Sequence, residues 1–113
     1  SDTPKASLSW LTWLAHDNND NAFGADDLFH ELLEKNRKEF EDSFVFFMSD
    51  HGMRWGQITS SEIGAMERNS AALLLSVPRW LRKNKALMKN MRKNSGKLLT
   101  QFDVHATFID LIE

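Results

Sequence analysis

Apolar runs separated by polar, turn-forming segments alternate along this chain. Residues 44–48 read Phe-Val-Phe-Phe-Met with no polar alternation, which predicts a strand buried on both faces. The nearly apolar residues 8–14 predict an earlier strand, and residues 72–77, ended by Pro78, predict a short third strand. The pattern therefore predicts a sheet of at least three strands.

Apolar residues recur at helical spacing in much of the remaining chain. Residues 26–40 carry acids in the first turn and an apolar stripe, and they predict one helix. Residues 79–94 predict a basic helix with Trp80, Leu87 and Met91 facing inward, and a last helix follows with Asp103 as its cap. The segment after Gly52 is expected to be a mobile loop.

The order strand, helix, strand at these lengths predicts an α/β fold. Such a unit forms a right-handed crossover between two parallel, adjacent strands. His16 and Asp50 each follow a strand, so they are expected at the same edge of the sheet.

Candidate metal-binding residues closely follow the apolar run 44–48. Asp50 offers a hard carboxylate oxygen and His51 a borderline imidazole nitrogen, and together they suit one divalent cation. Gly52 lets the backbone turn without a Cβ clash. The alternative is a purely structural turn in which Asp50 only accepts backbone hydrogen bonds.

These residues resemble a known signature. Ser49-Asp50-His51-Gly52 after an apolar strand is similar to the distal metal-binding motif of the alkaline phosphatase superfamily, which includes the sulfatases. Further blocks, in the same order along the chain, resemble a largely uncharacterised animal family of sulfatase-like proteins: residues 9–18, 25–28, 47–56, 77–82 and 99–107.

The resemblance implies a fold and a reaction. Residues 1–113 would be the C-terminal portion of one alkaline phosphatase-like domain, with a mixed, mostly parallel sheet flanked by helices and completed by upstream polypeptide. The start at Ser1 without an initiator Met fits that expectation. The upstream part would supply a metal-binding acid and the nucleophile, which is not Ser49. The reaction would be hydrolysis or transfer of phosphate or sulfate esters.

The resemblance also assigns roles to single residues. Asp50 and His51 would bind Zn²⁺, Mn²⁺ or Ca²⁺, and His16 would contact the anion or the leaving group. Arg54 and His105 occupy positions where this family carries the same residue types, and both are candidates for substrate binding. Each has a structural alternative: a loop hydrogen bond for His16, an ion pair with an acid for Arg54 and simple packing for His105.

Charge is distributed unevenly despite a net charge of −2. Acids crowd the first half, whereas residues 79–97 carry eight cations and no acid. This basic segment predicts either a solvated helix face or a surface for polyanions, although nothing clearly indicates nucleic acid. The remaining alternative to a hydrolase is a noncatalytic sulfatase-like scaffold.

The sequence lacks cysteine and lacks a long apolar stretch. The chain has no cysteine, which excludes a disulfide framework or a thiolate metal site within it. No apolar stretch approaches the roughly 20 residues of a membrane-spanning helix. The resemblance implies a secretory, extracellular or membrane-anchored location, which the sequence itself does not specify.

Overall fold

The structure is a computed structural model that describes residues 5–17 and 20–112. Helices and two strands alternate in a mixed α/β arrangement. In chain order the elements are α1 (Thr12–Ala15), α2 (Asp20–Gly24), α3 (Asp26–Lys35), α4 (Arg37–Glu41), β1 (Val45–Met48), a 3₁₀ helix (Gln57–Ser60), α5 (Glu62–Asn69), β2 (Leu73–Ser76), a second 3₁₀ helix (Leu81–Lys83), α6 (Lys85–Asn94) and α7 (Gln101–Ile112).

The sheet of the described residues has two antiparallel strands. β1 pairs with β2 in a register that sets Val45 opposite Ser76 and Met48 opposite Leu73. Both strands agree with the predicted runs 44–48 and 72–77. The expected parallel pair is not formed, because the hydrogen-bonded neighbour of β1 is the later strand and not the segment 8–14.

One helix contacts each face of β1 through an aromatic pair. Phe47 meets Phe29 of α3 edge to face at 5.4 Å between ring centroids, and Phe46 meets Phe108 of α7 at 4.7 Å. Consecutive strand residues point to opposite faces, so α3 and α7 lie on opposite sides. The strand was predicted to be buried on both faces, but among the described residues each face receives only one aromatic contact from a helix, and Phe47 is still 50% exposed.

The predicted strand over residues 8–14 is wrong. Residues 5–11 have no regular structure and α1 begins at Thr12. Trp10 remains 67% exposed and Trp13 74% exposed. An apolar run forms a strand only when neighbouring strands satisfy its backbone groups, and none of the described residues pairs with this segment.

The segment after Gly52 contains more structure than a mobile loop. It forms the first 3₁₀ helix and then α5, whose start is capped by Ser61 accepting the Gly64 amide at 3.0 Å. A Cβ on Gly64 would lie 1.9 Å from the carbonyl oxygen of Ile58, so only glycine allows the two helices to approach this closely. The glycine at position 64 therefore permits close packing in this segment.

The basic segment is helical with an interruption. Its second 3₁₀ helix ends before Asn84, whose side chain accepts the Leu87 amide at 3.1 Å and starts α6. Leu87 and Met91 are half-buried as predicted. Trp80 is 64% exposed, contrary to prediction, because it precedes the interruption and does not share the helical period of α6.

The start of α7 differs from the predicted cap. Asp103 lies inside the first turn, where its carboxylate accepts the amide and the hydroxyl of Thr100, both at 2.7 Å. These two hydrogen bonds hold the pKa of the Asp103 carboxyl below its usual value. The acid therefore stabilises the helix start from the third position, as in a capping box.

Little of the apolar surface is buried. Among the described residues the buried hydrophobic side chains are Ala25, Val77 and Val104. The accessible surface is 10092 Å², whereas a compact monomer of 13.0 kDa exposes about 6,300 Å². The radius of gyration of 16.3 Å likewise exceeds the roughly 13 Å of a compact domain of this length. No helix in the described ranges has the length and apolar character of a membrane span.

Candidate metal centre

The residues directly after β1 continue its pairing with the other strand. Ser49 donates its amide to the carbonyl of Ala72 at 3.0 Å, and its hydroxyl accepts the Ala72 amide at 2.8 Å. The Ser49 side chain thus extends the sheet by one residue. It fixes the position at which the chain leaves the sheet and enters Asp50, His51 and Gly52, here called the Asp-His turn.

Within the Asp-His turn the two candidate ligands face each other. Asp50 Oδ1 accepts the backbone amide of His51 at 3.0 Å, and Asp50 Oδ2 lies 3.4 Å from His51 Nε2. A purely structural turn, in which Asp50 only accepts backbone hydrogen bonds, would explain the contact of Oδ1 but not that of Oδ2 with the His51 ring. The Asp50 side chain is 55% exposed and that of His51 35% exposed, so an ion in solution can reach both.

The other ring nitrogen determines the tautomer of His51. Nδ1 lies 2.7 Å from the carbonyl oxygen of Gly52. A carbonyl only accepts hydrogen bonds, so Nδ1 carries the proton and a neutral ring keeps its lone pair on Nε2. Histidines that bind metals almost always donate their second ring nitrogen to such a group, which orients the ring.

The spacing of the two donor atoms suits a metal ion. Two donors about 2.1 Å from one tetrahedrally coordinated ion stand about 3.4 Å apart. Asp50 Oδ2 and His51 Nε2 have that separation. No group of three or more His, Asp or Glu side chains suited to a metal occurs within the part of the chain described here. The Asp-His turn therefore brings two candidate ligands together, and within the described residues no third one joins them.

Two contacts hold the backbone of the Asp-His turn. The Gly52 amide donates to the carbonyl of Arg68 at 3.1 Å, and a Cβ on Gly52 would lie 2.0 Å from the Glu67 carbonyl oxygen. From the other side, Gln101 Nε2 donates to the carbonyl of Asp50 at 3.0 Å. The turn is thus held between the end of α5 and the start of α7. Sequence reasoning missed Gln101, because no local pattern predicts a contact across 51 residues.

Comparison with known proteins places the chain in a family. The family model described as "Protein of unknown function (DUF229)" matches residues 1–113, the whole chain. The chain belongs to this family. DUF229 is sulfatase-like, in agreement with the resemblance found in the ordered sequence blocks. No curated protein and no solved structure matched the chain.

His16 of this DUF229 chain does not lie at the end of a strand. It follows α1, and its Nδ1 is 2.6 Å from Asp17 Oδ1, the local hydrogen bond anticipated as its structural alternative. Both side chains are exposed, and α1 packs on α2. No hydrogen bond or ion pair within the described ranges joins His16 to the Asp-His turn. The prediction that His16 and Asp50 lie at the same edge of the sheet is wrong, because the described residues before His16 form no strand.

Two further candidates of the DUF229 chain lie on either side of the turn. Arg54 is exposed two residues after Gly52, and no ion pair links it to an acid in the residues with described positions. His105 is exposed on α7, one helical turn after Gln101 and therefore on the same side of that helix. Since Gln101 contacts Asp50, the structure places His105 on the side of α7 that adjoins the candidate centre.

Proposed function

We propose that this chain is part of a metal-dependent hydrolase or transferase of the alkaline phosphatase type that acts on phosphate or sulfate esters. Asp50 and His51 would be two of its metal ligands. The observation that carries the proposal is the Asp-His turn: Nε2 and Oδ2 are 3.4 Å apart while Nδ1 donates to the Gly52 carbonyl. Membership in a sulfatase-like family supports the same reaction class.

The roles of the residues follow from their chemistry. A bound Zn²⁺, Mn²⁺ or Ca²⁺ would lower the pKa of a nucleophile and polarise a nonbridging ester oxygen. Asp50 would supply negative charge to hold the ion, and the Gly52 carbonyl would keep the lone pair of His51 directed at it. His105 would contact the substrate anion from α7. His16 would contact the anion or the leaving group, and this role rests on the family resemblance.

The exposed apolar surface supports a larger domain. Within the described residues, β1 and β2 pair only with each other, so each has one edge without a hydrogen-bonded neighbour. Val45–Met48 and Leu73–Ser76 contain none of the charged residues that protect exposed edges in natural sheets. We propose that upstream polypeptide of the same domain covers these edges and the exposed segment 5–11. The same polypeptide would contribute the nucleophile and the remaining metal ligands.

A calorimetric titration of the full-length protein tests the ligands. We expect Asp50→Asn to weaken the binding of the activating ion, tested as Zn²⁺, Mn²⁺ and Ca²⁺, by at least tenfold. Asp42→Asn is the matched control, because Asp42 is exposed and precedes β1, whereas Asp50 follows it. Equal affinity of the Asp50→Asn and wild-type proteins would show that the turn is structural and would contradict the proposal.

Turnover separates the ligands from the anion contact. We expect His51→Ala to abolish hydrolysis of phosphate and sulfate esters, whereas His30→Ala, at an exposed histidine of α3, leaves it unchanged. His16→Ala should lower turnover less than His51→Ala and leave metal affinity intact, because His16 would act on the anion and not on the ion. Loss of metal affinity in His16→Ala would refute that division of roles.

A further inference from the structure

One face of α6 is entirely basic. Counting about 100° per residue around the helix, Lys85, Lys89, Arg92 and Lys93 fall within an arc of about 100°. All four are exposed, whereas the half-buried residues Leu87, Met88 and Met91 lie on the other side. Successive cations of this row are at most about 6 Å apart along the axis, which is less than the Debye length of about 8 Å at physiological salt. They therefore act on a ligand as one surface, here called the basic face.

The structure separates the basic face from the two arginines that precede α6, Arg79 and Arg82. Arg79 forms an ion pair with Glu41. Arg82 donates to the carbonyl of Val77 at 2.8 Å and to the hydroxyl of Ser76 at 3.1 Å. These two arginines hold the segment against α4 and β2. By contrast, among the described residues no carboxylate lies within 4.0 Å of a basic-face side chain.

Only half of the basic face suits the helix itself: Arg92 and Lys93 lie in the last turn, where cations favour the helix dipole, whereas Lys85 and Lys89 do not. Lys85–Lys89 and Lys89–Lys93 are like-charged pairs four residues apart, each of which destabilises a helix by about 0.2–0.5 kcal/mol. The first turn of α6 contains no acid and begins with Lys85, against the helix dipole.

The same chain follows the ordinary electrostatic rules in another helix. α3 begins with Asp26 and Asp27, and it pairs Lys35 with Glu31 at 2.7 Å. Local rules that are broken in only some elements are expected at functional positions. The charges of α6 therefore point to a ligand outside the helix.

We propose that the basic face binds a linear sulfated polysaccharide. The apolar side of α6 already packs on the chain, which leaves no hydrophobic face for membrane insertion. The basic face has no aromatic side chain for stacking on bases, and Asn90 and Asn94 lie on the opposite side of the helix. A linear polyanion recognised by charge alone fits a single row of four cations.

Binding of heparin by the full-length protein tests the proposal. The titration is done with chelator present, so that the Asp-His turn plays no part. We expect affinity to fall linearly with salt on logarithmic scales, and each Lys→Gln or Arg→Gln change on the basic face to reduce that slope by about one. The quadruple Gln variant should lose binding while keeping its circular dichroism, because neutralisation removes repulsion within α6.

Matched variants separate this inference from the proposed function. Lys35→Gln, which removes an ion-paired lysine of α3, should bind heparin like the wild type. Asp50→Asn should also bind normally, so a failed metal site and a failed basic face give different results. Wild-type affinity in the quadruple variant would overturn the proposal. So would tighter binding of duplex DNA than of heparin at the same salt concentration.

Discussion

Replacing Gly52 by alanine tests how the Asp-His turn is held. The added Cβ would lie 2.0 Å from the carbonyl oxygen of Glu67, 2.6 Å from its carbonyl carbon and 3.0 Å from the Cα of Arg68. All three are backbone atoms, so no side chain can rotate away. Either the end of α5 or the turn itself must move, and the Gly52 amide then loses its 3.1 Å hydrogen bond to Arg68.

The expected destabilisation has two parts. Overpacking against a fixed backbone costs about 1–3 kcal/mol, and a lost backbone hydrogen bond adds about 0.5–1.5 kcal/mol. We therefore expect Gly52→Ala to lower the free energy of unfolding by about 1.5–4.5 kcal/mol. Because the displaced backbone carries Asp50 and His51, metal affinity should fall in the same variant.

Urea denaturation followed by circular dichroism measures this change in the full-length protein. Gly24→Ala is the matched control: Gly24 closes α2, and a Cβ there meets no atom within 4 Å. That control should be neutral or slightly stabilising, by up to about 1 kcal/mol. The same unfolding midpoint in both variants would refute the close approach of Gly52 to α5.

Three further outcomes follow from α7. Gln101→Ala should weaken metal binding about tenfold in calorimetry, whereas Gln57→Ala in the first 3₁₀ helix should not; equal affinities would contradict a positioning role. Asp103→Asn should lower the melting temperature at pH 7. Since hydrogen bonds from Thr100 depress the Asp103 pKa, its contribution is fully present above about pH 3.9 and is lost as pH falls through the depressed value, where the two proteins should converge. Phe108→Leu should destabilise by about 0.5–1.5 kcal/mol in urea titrations through loss of its edge-to-face pair, and no change would refute that contact.

The elements that could be predicted are those whose spacing of apolar residues along the sequence matches one type of secondary structure. The run 44–48 forms β1, which one helix contacts on each face, and the apolar stripe of α3 includes Phe29, which contacts that strand. The helix predicted over 26–40 breaks at Asn36, whose amide donates back to Leu32 and Glu34. The types of these two elements were thus predictable, whereas the helix boundary depended on the local geometry of Asn36.

Topology depended on partners that a local pattern does not specify. The segment 8–14 has the composition of a buried strand, but a strand also requires a neighbour, and β1 pairs with β2 instead. Because segment 8–14 does not form a strand, the predicted parallel crossover is wrong. The prediction that His16 and Asp50 share one sheet edge is wrong for the same reason. β1 and β2 pair antiparallel although residues 49–72, which connect them, contain α5.

Of the candidate site, only the two candidate ligands could be named from the sequence, and their role in metal binding stays a prediction. Asp50 and His51 are adjacent in sequence, so their types and order already indicated a divalent ion. The groups that orient them are distant in sequence or belong to the backbone: Gln101 approaches from α7, and the Gly52 carbonyl selects the tautomer. The requirement for Gly52 was expected from a turn, whereas the structure attributes it to packing against α5.

The central claim is that His51 binds a divalent ion through Nε2, beside Asp50. The most direct test is ¹⁵N NMR of the imidazole nitrogens in full-length protein labelled at histidine, recorded before and after addition of Zn²⁺ and assigned with His51→Gln. The account predicts that Nε2 of His51 shifts on metal binding while Nδ1 keeps its proton and its hydrogen bond to the Gly52 carbonyl. Ring resonances of His51 that do not change at saturating Zn²⁺, or a shift confined to Nδ1, would contradict it.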